Sequence, residues 1–105
     1  MRNKYGAKPT VVDGIRFHSK RESERYSELK LLERAGKIKD LGRQPKFPIE
    51  VYGKKICTYI ADFSYWDNEK KCGVVEDVKG ARTALYSIKK KLVEALYPFK
   101  ITEVR

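Results

Sequence analysis

Two aspartates and a lysine have a spacing that suits metal-assisted chemistry. Asp62 is followed fifteen residues later by Asp77 and then by Lys79. Alternate residues of a strand share a face, so Asp77 and Lys79 should point the same way, and pairing of segments 56–66 and 73–79 would bring Asp62 near Asp77. Adjacent carboxylates are costly unless a cation neutralises them, and their hard oxygens suit Mg²⁺, with Mn²⁺ as a substitute. Such a cation would polarise a phosphate and activate a water, while Lys79 positions that water or stabilises developing charge.

The charge of the chain is distributed unevenly around these residues. The net charge is +10, which favours a polyanionic partner, with nucleic acid as the first candidate. Residues 22–36 hold three basic and four acidic residues, and residues 56–78 hold two basic and five acidic ones, whereas residues 79–91 hold five basic residues and no acidic one. Clustered carboxylates would repel phosphates unless they bind a cation. The pattern therefore predicts basic segments that hold nucleic acid around a cation site.

Length and composition limit the classes of protein that the chain can represent. With 105 residues, 41% of them hydrophobic, we expect one domain over residues 1–105, in which residues 1–18 form a basic N-terminal arm and hairpin. No apolar run approaches the roughly 18–20 residues of a membrane span, and no secretory signal is evident, so a cytoplasmic location without a membrane partner is expected. Cys57 and Cys72 lack metal-ligand spacing and should be inert, reduced thiols.

Turn and capping signals predict the elements that must position the site. Asp13-Gly14 predicts the turn of a short hairpin over residues 11–17. Ser19 and Glu22 form an S-x-x-E capping box at the start of a helix that ends near Gly36. Three strands should follow, then a second helix capped by Thr83, and then a last strand, which gives the order αβββαβ. The strands are expected at 47–52, 56–66, 73–79 and 99–104, and the second helix presents Leu85, Ile88, Leu92 and Leu96 at helical spacing.

This order, together with Asp62 and Asp77-x-Lys79, resembles the PD-(D/E)xK nuclease superfamily, with Ala61 at a variable position where the family name has Pro. A second resemblance rests on the segments Asn3–Ala7, Asp13–Phe17, Ser19–Glu22, Gln44–Pro45, Tyr59–Phe63 and Glu76–Gly80. With these segments the chain resembles small phage and prophage proteins of the DUF1064 type, and the resemblance covers nearly the whole chain. It implies a single α/β (α+β) domain with an αβββαβ core, in which helices flank a central mixed sheet.

The resemblance also implies roles for individual residues. Asp62 and Asp77 would be metal ligands, Lys79 the catalytic lysine, and the carbonyl group of Val78 a further ligand. Glu22 would complete the catalytic and metal-binding set, and it shares a helical stripe with the predicted core residues of its helix. The residues expected to contact DNA are Lys4, Lys20, Arg21, Gln44, Arg82, Lys89 and Lys90.

Simpler interpretations of the same residues stay open. Ser19-x-x-Glu22 is alternatively a capping box alone, Asp77-x-Lys79 an ion pair on an exposed strand, and the lysine run 89–91 a solvated helix face. Glu76 has the opposite parity to Asp77 and is expected to be solvated or structural. His18 is expected to be a turn residue.

The sequence therefore predicts a Mg²⁺-dependent DNA endonuclease. A chain of 105 residues leaves no room for a separate recognition domain, which favours recognition of branched DNA such as a Holliday junction, in phage recombination or DNA processing. The resemblance implies a homodimer encoded by a phage or prophage in a bacterial cell, and no nucleotide cofactor is expected. One alternative is a nuclease-fold module that binds DNA or a phage protein without cutting. Another is a phage regulator of a host protein, which leaves the carboxylates unexplained.

Overall fold

The chain forms two helices and eight strands within residues 10–79 and 83–105, the residues that the computed structural model describes. Residues 1–9 of the predicted N-terminal arm, which include Lys4, therefore lie outside the described residues, and so does Arg82. The elements are β1 (Thr10–Val12), β2 (Ile15–Phe17), α1 (Lys20–Arg34), β3 (Ile38–Arg43), β4 (Lys46–Val51), β5 (Lys54–Ile60), β6 (Phe63–Asp67), β7 (Cys72–Val78), α2 (Ala84–Leu96) and β8 (Ile101–Val104).

A four-stranded mixed sheet forms the centre of the fold. Its strand order is β3-β6-β7-β8, in which β7 and β8 are parallel and the other pairs are antiparallel. Parallel neighbours need a crossover connection, and α2 supplies it between β7 and β8. Along the chain, the helices and the strands of this sheet follow the order α1-β3-β6-β7-α2-β8. The predicted αβββαβ order and central mixed sheet are thus confirmed, but β3 takes the place of the predicted strand 47–52, which corresponds to β4 and lies outside this sheet.

Two hairpins lie outside the central sheet. In the first, β1 pairs with β2 through Asp13 and Gly14, whose φ angles of 53° and 75° are the positive values that tight hairpin turns need. This confirms the turn predicted from Asp-Gly. In the second, β4 pairs with β5 through Tyr52 and Gly53, which also have positive φ angles.

The predicted strand 56–66 is wrong, because it consists of two strands that belong to different sheets. β5 pairs with β4, and β6 joins the central sheet. At the junction, Ala61 N–H donates to Pro45 O and Asp62 N–H donates to Glu76 O, so the chain changes partner between these two residues. Alternating side chains continue through the junction, which is why the pattern alone cannot reveal it. The sequence also missed β3, where Asp40 and Gly42 interrupt any apolar alternation.

The predicted caps of both helices are observed. Ser19 Oγ accepts a hydrogen bond of 3.1 Å from Glu22 N–H, and Thr83 Oγ1 accepts one of 3.1 Å from Tyr86 N–H. Gly36 follows α1 with a φ of 77°, which fits the predicted end of the helix. The Ser19 and Thr83 side chains thus satisfy N–H groups that have no partner within a helix.

Helices cover the central sheet from two sides, with one apolar cluster on each. The cluster at α1 contains Phe17, Tyr26, Leu29, Ile38 and Phe63. The cluster at α2 and the β4–β5 hairpin contains Ile49, Tyr59, Ala61, Val75, Tyr86, Val93 and Ile101. The helical spacing of Leu85 and Ile88 in α2 does not mark buried residues, because these side chains are 63% and 57% exposed. No helix in the described part of the chain is long and apolar enough to cross a membrane.

Candidate active site

Asp62 lies at the point where β5 gives way to β6, and its backbone and side chain are both bound to β7. Its N–H donates to Glu76 O at 3.1 Å, and its Oδ2 accepts from Val78 N–H at 2.7 Å. The antiparallel pairing of β6 with β7 therefore brings Asp62 to the end of β7, beside Asp77. This confirms the predicted approach of the two aspartates.

Asp77 is almost completely buried, with 2% of its surface exposed, and both of its oxygens have partners. The hydroxyl group of Tyr59 donates to Oδ2, and the ammonium group of Lys79 lies 3.4 Å from Oδ1. The Lys79 ammonium also lies 4.5 Å from the centre of the Tyr86 ring. Asp77 and Lys79 share a face as predicted, and burial of Asp77 argues against an ion pair on an exposed strand.

The environment of Asp77 favours its protonated form. Burial raises its pKa to about 7, and hydrogen bonding and charge repulsion from Asp62 act in the same direction, whereas Tyr59 and Lys79 oppose them. Burial and the hydrogen bond to Asp77 in turn raise the pKa of Tyr59, so its hydroxyl keeps the proton that it donates. Two carboxyl groups this close cannot both ionise cheaply without a neutralising cation.

Glu22 lies in the first turn of α1, outside this pair of aspartates. The helix begins at the same end of the sheet as the site, since Arg21 Nε donates to Arg105 O at 2.9 Å and Lys79 N–H donates to Val104 O at 2.8 Å. Within the described residues, however, no group of three or more His, Cys, Asp or Glu side chains is placed to hold a metal ion. The structure thus brings two of the three predicted carboxylates together, and a metal-binding role of Glu22 stays a prediction.

A buried ion pair that the sequence did not indicate lies on the other face of β7. Glu76 is 1% exposed, and Arg25 of α1 binds both of its oxygens, with Nε–Oε1 at 2.9 Å and Nη2–Oε2 at 2.6 Å. The Tyr65 hydroxyl donates to the same carboxylate. Glu76 is therefore structural and not solvated, and the pair fixes α1 to the strand that carries Asp77.

This network changes the acid–base properties of its members. The Glu76 carboxylate raises the pKa of Arg25, and burial together with Glu76 raises the pKa of Tyr65. Arg25 remains charged and Tyr65 remains neutral across the working range of a protein. The sequence signal that could have revealed this contact is the alternation of β7. It directs Glu76 into an apolar face, where a carboxylate needs a cationic partner.

The predicted DNA-binding residues fall into different surroundings. Gln44 lies beside Asp62, because its N–H donates to Asp62 O at 2.9 Å. Lys89 Nζ lies 3.4 Å from Thr58 O. The remaining described residues of this set are Lys20, which is exposed, Arg21, which pairs with Glu24 and Glu28, and Lys90, which lies 3.8 Å from Glu94.

Comparison with known proteins gives a match over nearly the whole chain. A family model described as "Protein of unknown function (DUF1064)" matches residues 2–104. Comparisons with curated proteins and with solved structures gave no match. The family match agrees with the resemblance of the motifs to DUF1064-type proteins.

Proposed function

We propose that this chain, which belongs to the DUF1064 family, is a divalent-metal-dependent deoxyribonuclease that hydrolyses phosphodiester bonds. The observation that carries the proposal is the contact between the buried Asp77 and the half-buried Asp62, beside Lys79. Burying a carboxylate next to another carboxylate lowers stability, and a fold gains nothing from this arrangement unless the pair binds a ligand. A divalent cation at the two aspartates, together with a phosphate group at Lys79, would balance the charges of the site.

The oxygen donors of the site fit Mg²⁺, with Mn²⁺ as a substitute. The Val78 N–H holds Oδ2 of Asp62 and the Tyr59 hydroxyl holds Oδ2 of Asp77. The candidate ligand atoms are therefore Oδ1 of Asp62 and Oδ1 of Asp77, and the latter also lies 3.4 Å from the Lys79 ammonium group. Mg²⁺ is commonly held by one or two carboxylates, with waters and substrate phosphates as its other ligands. Two aspartates therefore suffice, and the Val78 carbonyl and Glu22 are proposed as further ligands. When bound, the cation supplies polarisation of the scissile phosphate and a lowered pKa of the attacking water.

Lys79 contributes a positive charge on the same side of β7. Its ammonium group is held between the Asp77 carboxylate and the ring of Tyr86, and about a third of the side chain remains exposed. From there it can bind a non-bridging phosphate oxygen and stabilise the charge that develops during hydrolysis. The basic surplus of the chain increases the affinity for the DNA backbone without sequence preference.

The finer parts of the proposal concern the substrate and the assembly. We propose branched DNA such as a Holliday junction as the substrate and phage recombination or DNA processing as the setting, in the cytoplasm of the bacterial host. A homodimer would place two sites on two strands. The site lies at one end of the central sheet, beside the ends of β7 and β8.

The second candidate is a nuclease-fold module that binds DNA or a phage protein without cutting it. One observation favours it: within residues 10–79 and 83–105 only two carboxylates come together at the site. Against it stands Lys79, whose ion pair with Asp77 a module that only binds does not require.

Cleavage of a substrate panel under metal titration distinguishes the two candidates. Labelled four-way junctions, flaps, duplexes and single strands are incubated with Mg²⁺ or Mn²⁺ and wild-type protein, Asp77→Asn or Lys79→Ala. We expect both variants to bind DNA but to lose cleavage, whereas Glu69→Gln, an exposed control in the β6–β7 turn, keeps it. Unchanged cleavage by Asp77→Asn would overturn the proposal, and tight, salt-sensitive binding without turnover on any substrate would favour the module.

A further inference from the structure

A groove of about 250 Å³ lies beside the site, between β5 and α2. Lys79 and Lys89 both line it, and so does Tyr59, whose hydroxyl group holds Asp77. The groove is therefore continuous with the proposed catalytic residues. Among the described residues that line it, none is acidic. A groove with two ammonium groups and no carboxylate of its own fits an anionic ligand.

Lys89 differs from its two neighbours in the lysine run of α2. Its ammonium group makes a long hydrogen bond of 3.4 Å to Thr58 O, which leaves donors for a ligand. Lys90 instead lies 3.8 Å from the carboxylate of Glu94, and Lys91 is exposed and does not line the groove. Lys89 is thus the member of the run that faces the site. Lys91 carries the same charge but lies across α2 and faces solvent.

Apolar side chains that folding leaves exposed form another part of the groove. Leu85 is 63% exposed and Ile60 is 50% exposed, and both line it together with the lysines. Ile88, one turn after Leu85, is also more than half exposed. A ligand that covers these residues must combine anionic groups with apolar surface. A DNA strand does so, because its phosphates alternate with sugar and base faces.

We propose that this groove binds one strand of the DNA substrate next to the scissile phosphate. Lys89 contacts a neighbouring phosphate, and Leu85 and Ile60 contact the adjoining sugar and base. The inference rests on the proposed function, because it takes the Asp62–Asp77 pair as the place of cleavage. Apolar side chains at a DNA surface often enter base steps whose stacking is interrupted, so the groove suits a strand at a branch point. A second copy of this chain fits less well, since it carries the same positive surplus.

The salt dependence of DNA binding tests the phosphate contact without any cleavage. Affinity for a labelled four-way junction is measured in EDTA at several salt concentrations for wild-type protein, Lys89→Gln and the control Lys91→Gln. Losing one phosphate contact lowers the slope of log K against log salt by about 0.7 to 0.9. We expect that change for Lys89→Gln and a clearly smaller one for Lys91→Gln. Equal slopes for the two variants, or no binding by the wild-type protein, would overturn the proposal.

A second variant tests the apolar contact and the competing occupant. Leu85→Ser removes an exposed side chain, so the variant should fold, and we expect it to weaken junction binding about fivefold with an unchanged salt slope. Unchanged DNA affinity combined with a loss of self-association in sedimentation would show instead that the groove is an interface between copies. The binding assay in EDTA and the cleavage assay in Mg²⁺ test the two proposals separately. If the protein cleaves DNA but Lys89→Gln and Lys91→Gln have equal salt slopes, only the DNA-binding role of the groove is contradicted. If the slope depends on Lys89 but no DNA is cleaved, only the proposed nuclease activity is contradicted.

Discussion

Tyr59 donates a hydrogen bond from its hydroxyl group to Oδ2 of Asp77, although the two residues lie in different sheets. Tyr59 belongs to the β4–β5 hairpin and is 3% exposed, and its ring centre lies 6.5 Å from that of Tyr86. Tyr86 in turn lies beneath the ammonium group of Lys79. The hairpin and α2 thus each supply a tyrosine that orients one member of the Asp77-x-Lys79 pair.

Removal of the Tyr59 hydroxyl should affect the metal dependence more than the fold. In Tyr59→Phe the buried carboxylate of Asp77 loses a donor, which should lower the free energy of unfolding by about 1–3 kcal/mol. Because Asp77 is then less firmly oriented, we expect the Mg²⁺ concentration for half-maximal cleavage to rise several-fold. Urea denaturation and a Mg²⁺ titration measure the two effects.

Tyr97→Phe is the matched control for this change. The Tyr97 hydroxyl donates to Pro48 O, which also ties the hairpin to the rest of the fold but lies away from Asp77. The control should lose stability without a change in the metal titration. Equal shifts of the titration in both variants would contradict the role of Tyr59 in orienting Asp77.

The pKa of Asp77 should make the metal-free protein less stable at high pH. The fold raises this pKa from 3.8 to about 7, so it favours the protonated carboxyl. The stabilising contribution is complete below about pH 4 and is lost as the pH rises through 7. The Asp77→Asn variant cannot ionise at this position and should lack this loss. Thermal unfolding in EDTA between pH 4 and 9 should show that the curves of the wild-type protein and of this variant diverge, and parallel curves would contradict the assignment.

At pH values above 7, Mg²⁺ should restore the stability that the metal-free wild-type protein has lost. A cation that binds the ionised aspartates stabilises the folded state by mass action. We therefore expect a rise in the unfolding temperature with Mg²⁺ at pH 8 and a smaller rise at pH 5. Asp77→Asn should show neither, which separates binding at this site from a general effect of salt.

The buried pair of Arg25 and Glu76 should be needed for stability. Arg25→Met leaves the Glu76 carboxylate buried without its cation, and breaking such a pair typically costs about 3–5 kcal/mol. Because the Arg25 side chain is 20% exposed, we expect a value at the lower end. Urea denaturation checks it. The double variant Arg25→Met/Glu76→Leu should recover part of the loss, and additive losses would contradict direct coupling.

Local signals in the sequence were sufficient for much of the fold and for the centre of the site. Asp13-Gly14, Ser19 and Thr83 determine local backbone geometry through turns and caps, so the elements that they delimit could be predicted. The common face of Asp77 and Lys79 follows from strand parity.

Features that depend on distant partners could not be predicted in the same way. The alternation over residues 56–66 is the same for one strand as for two, and only pairing with β4 and β7 separates them. Tyr59 has the spacing of a core residue, so its hydroxyl bond to Asp77 gives no signal. Leu85 and Ile88 have the spacing of a buried stripe, yet α2 packs through Tyr86 and Val93 instead.

The two interpretations of Glu22 can be separated by a pair of substitutions. Ser19→Ala removes the side chain that accepts from Glu22 N–H and should lower stability by about 1 kcal/mol without changing cleavage. Glu22→Gln keeps this backbone contact and removes only the charge near the site. Since Glu22 is proposed as a further ligand but is not gathered with the two aspartates, we expect Glu22→Gln to lower cleavage by about 10-fold to 100-fold, the range found even for residues that only support metal ligands, and less than Asp77→Asn does. Cleavage assays with urea denaturation on both variants measure this, and unchanged cleavage by Glu22→Gln would leave Glu22 as a residue of the helix cap alone.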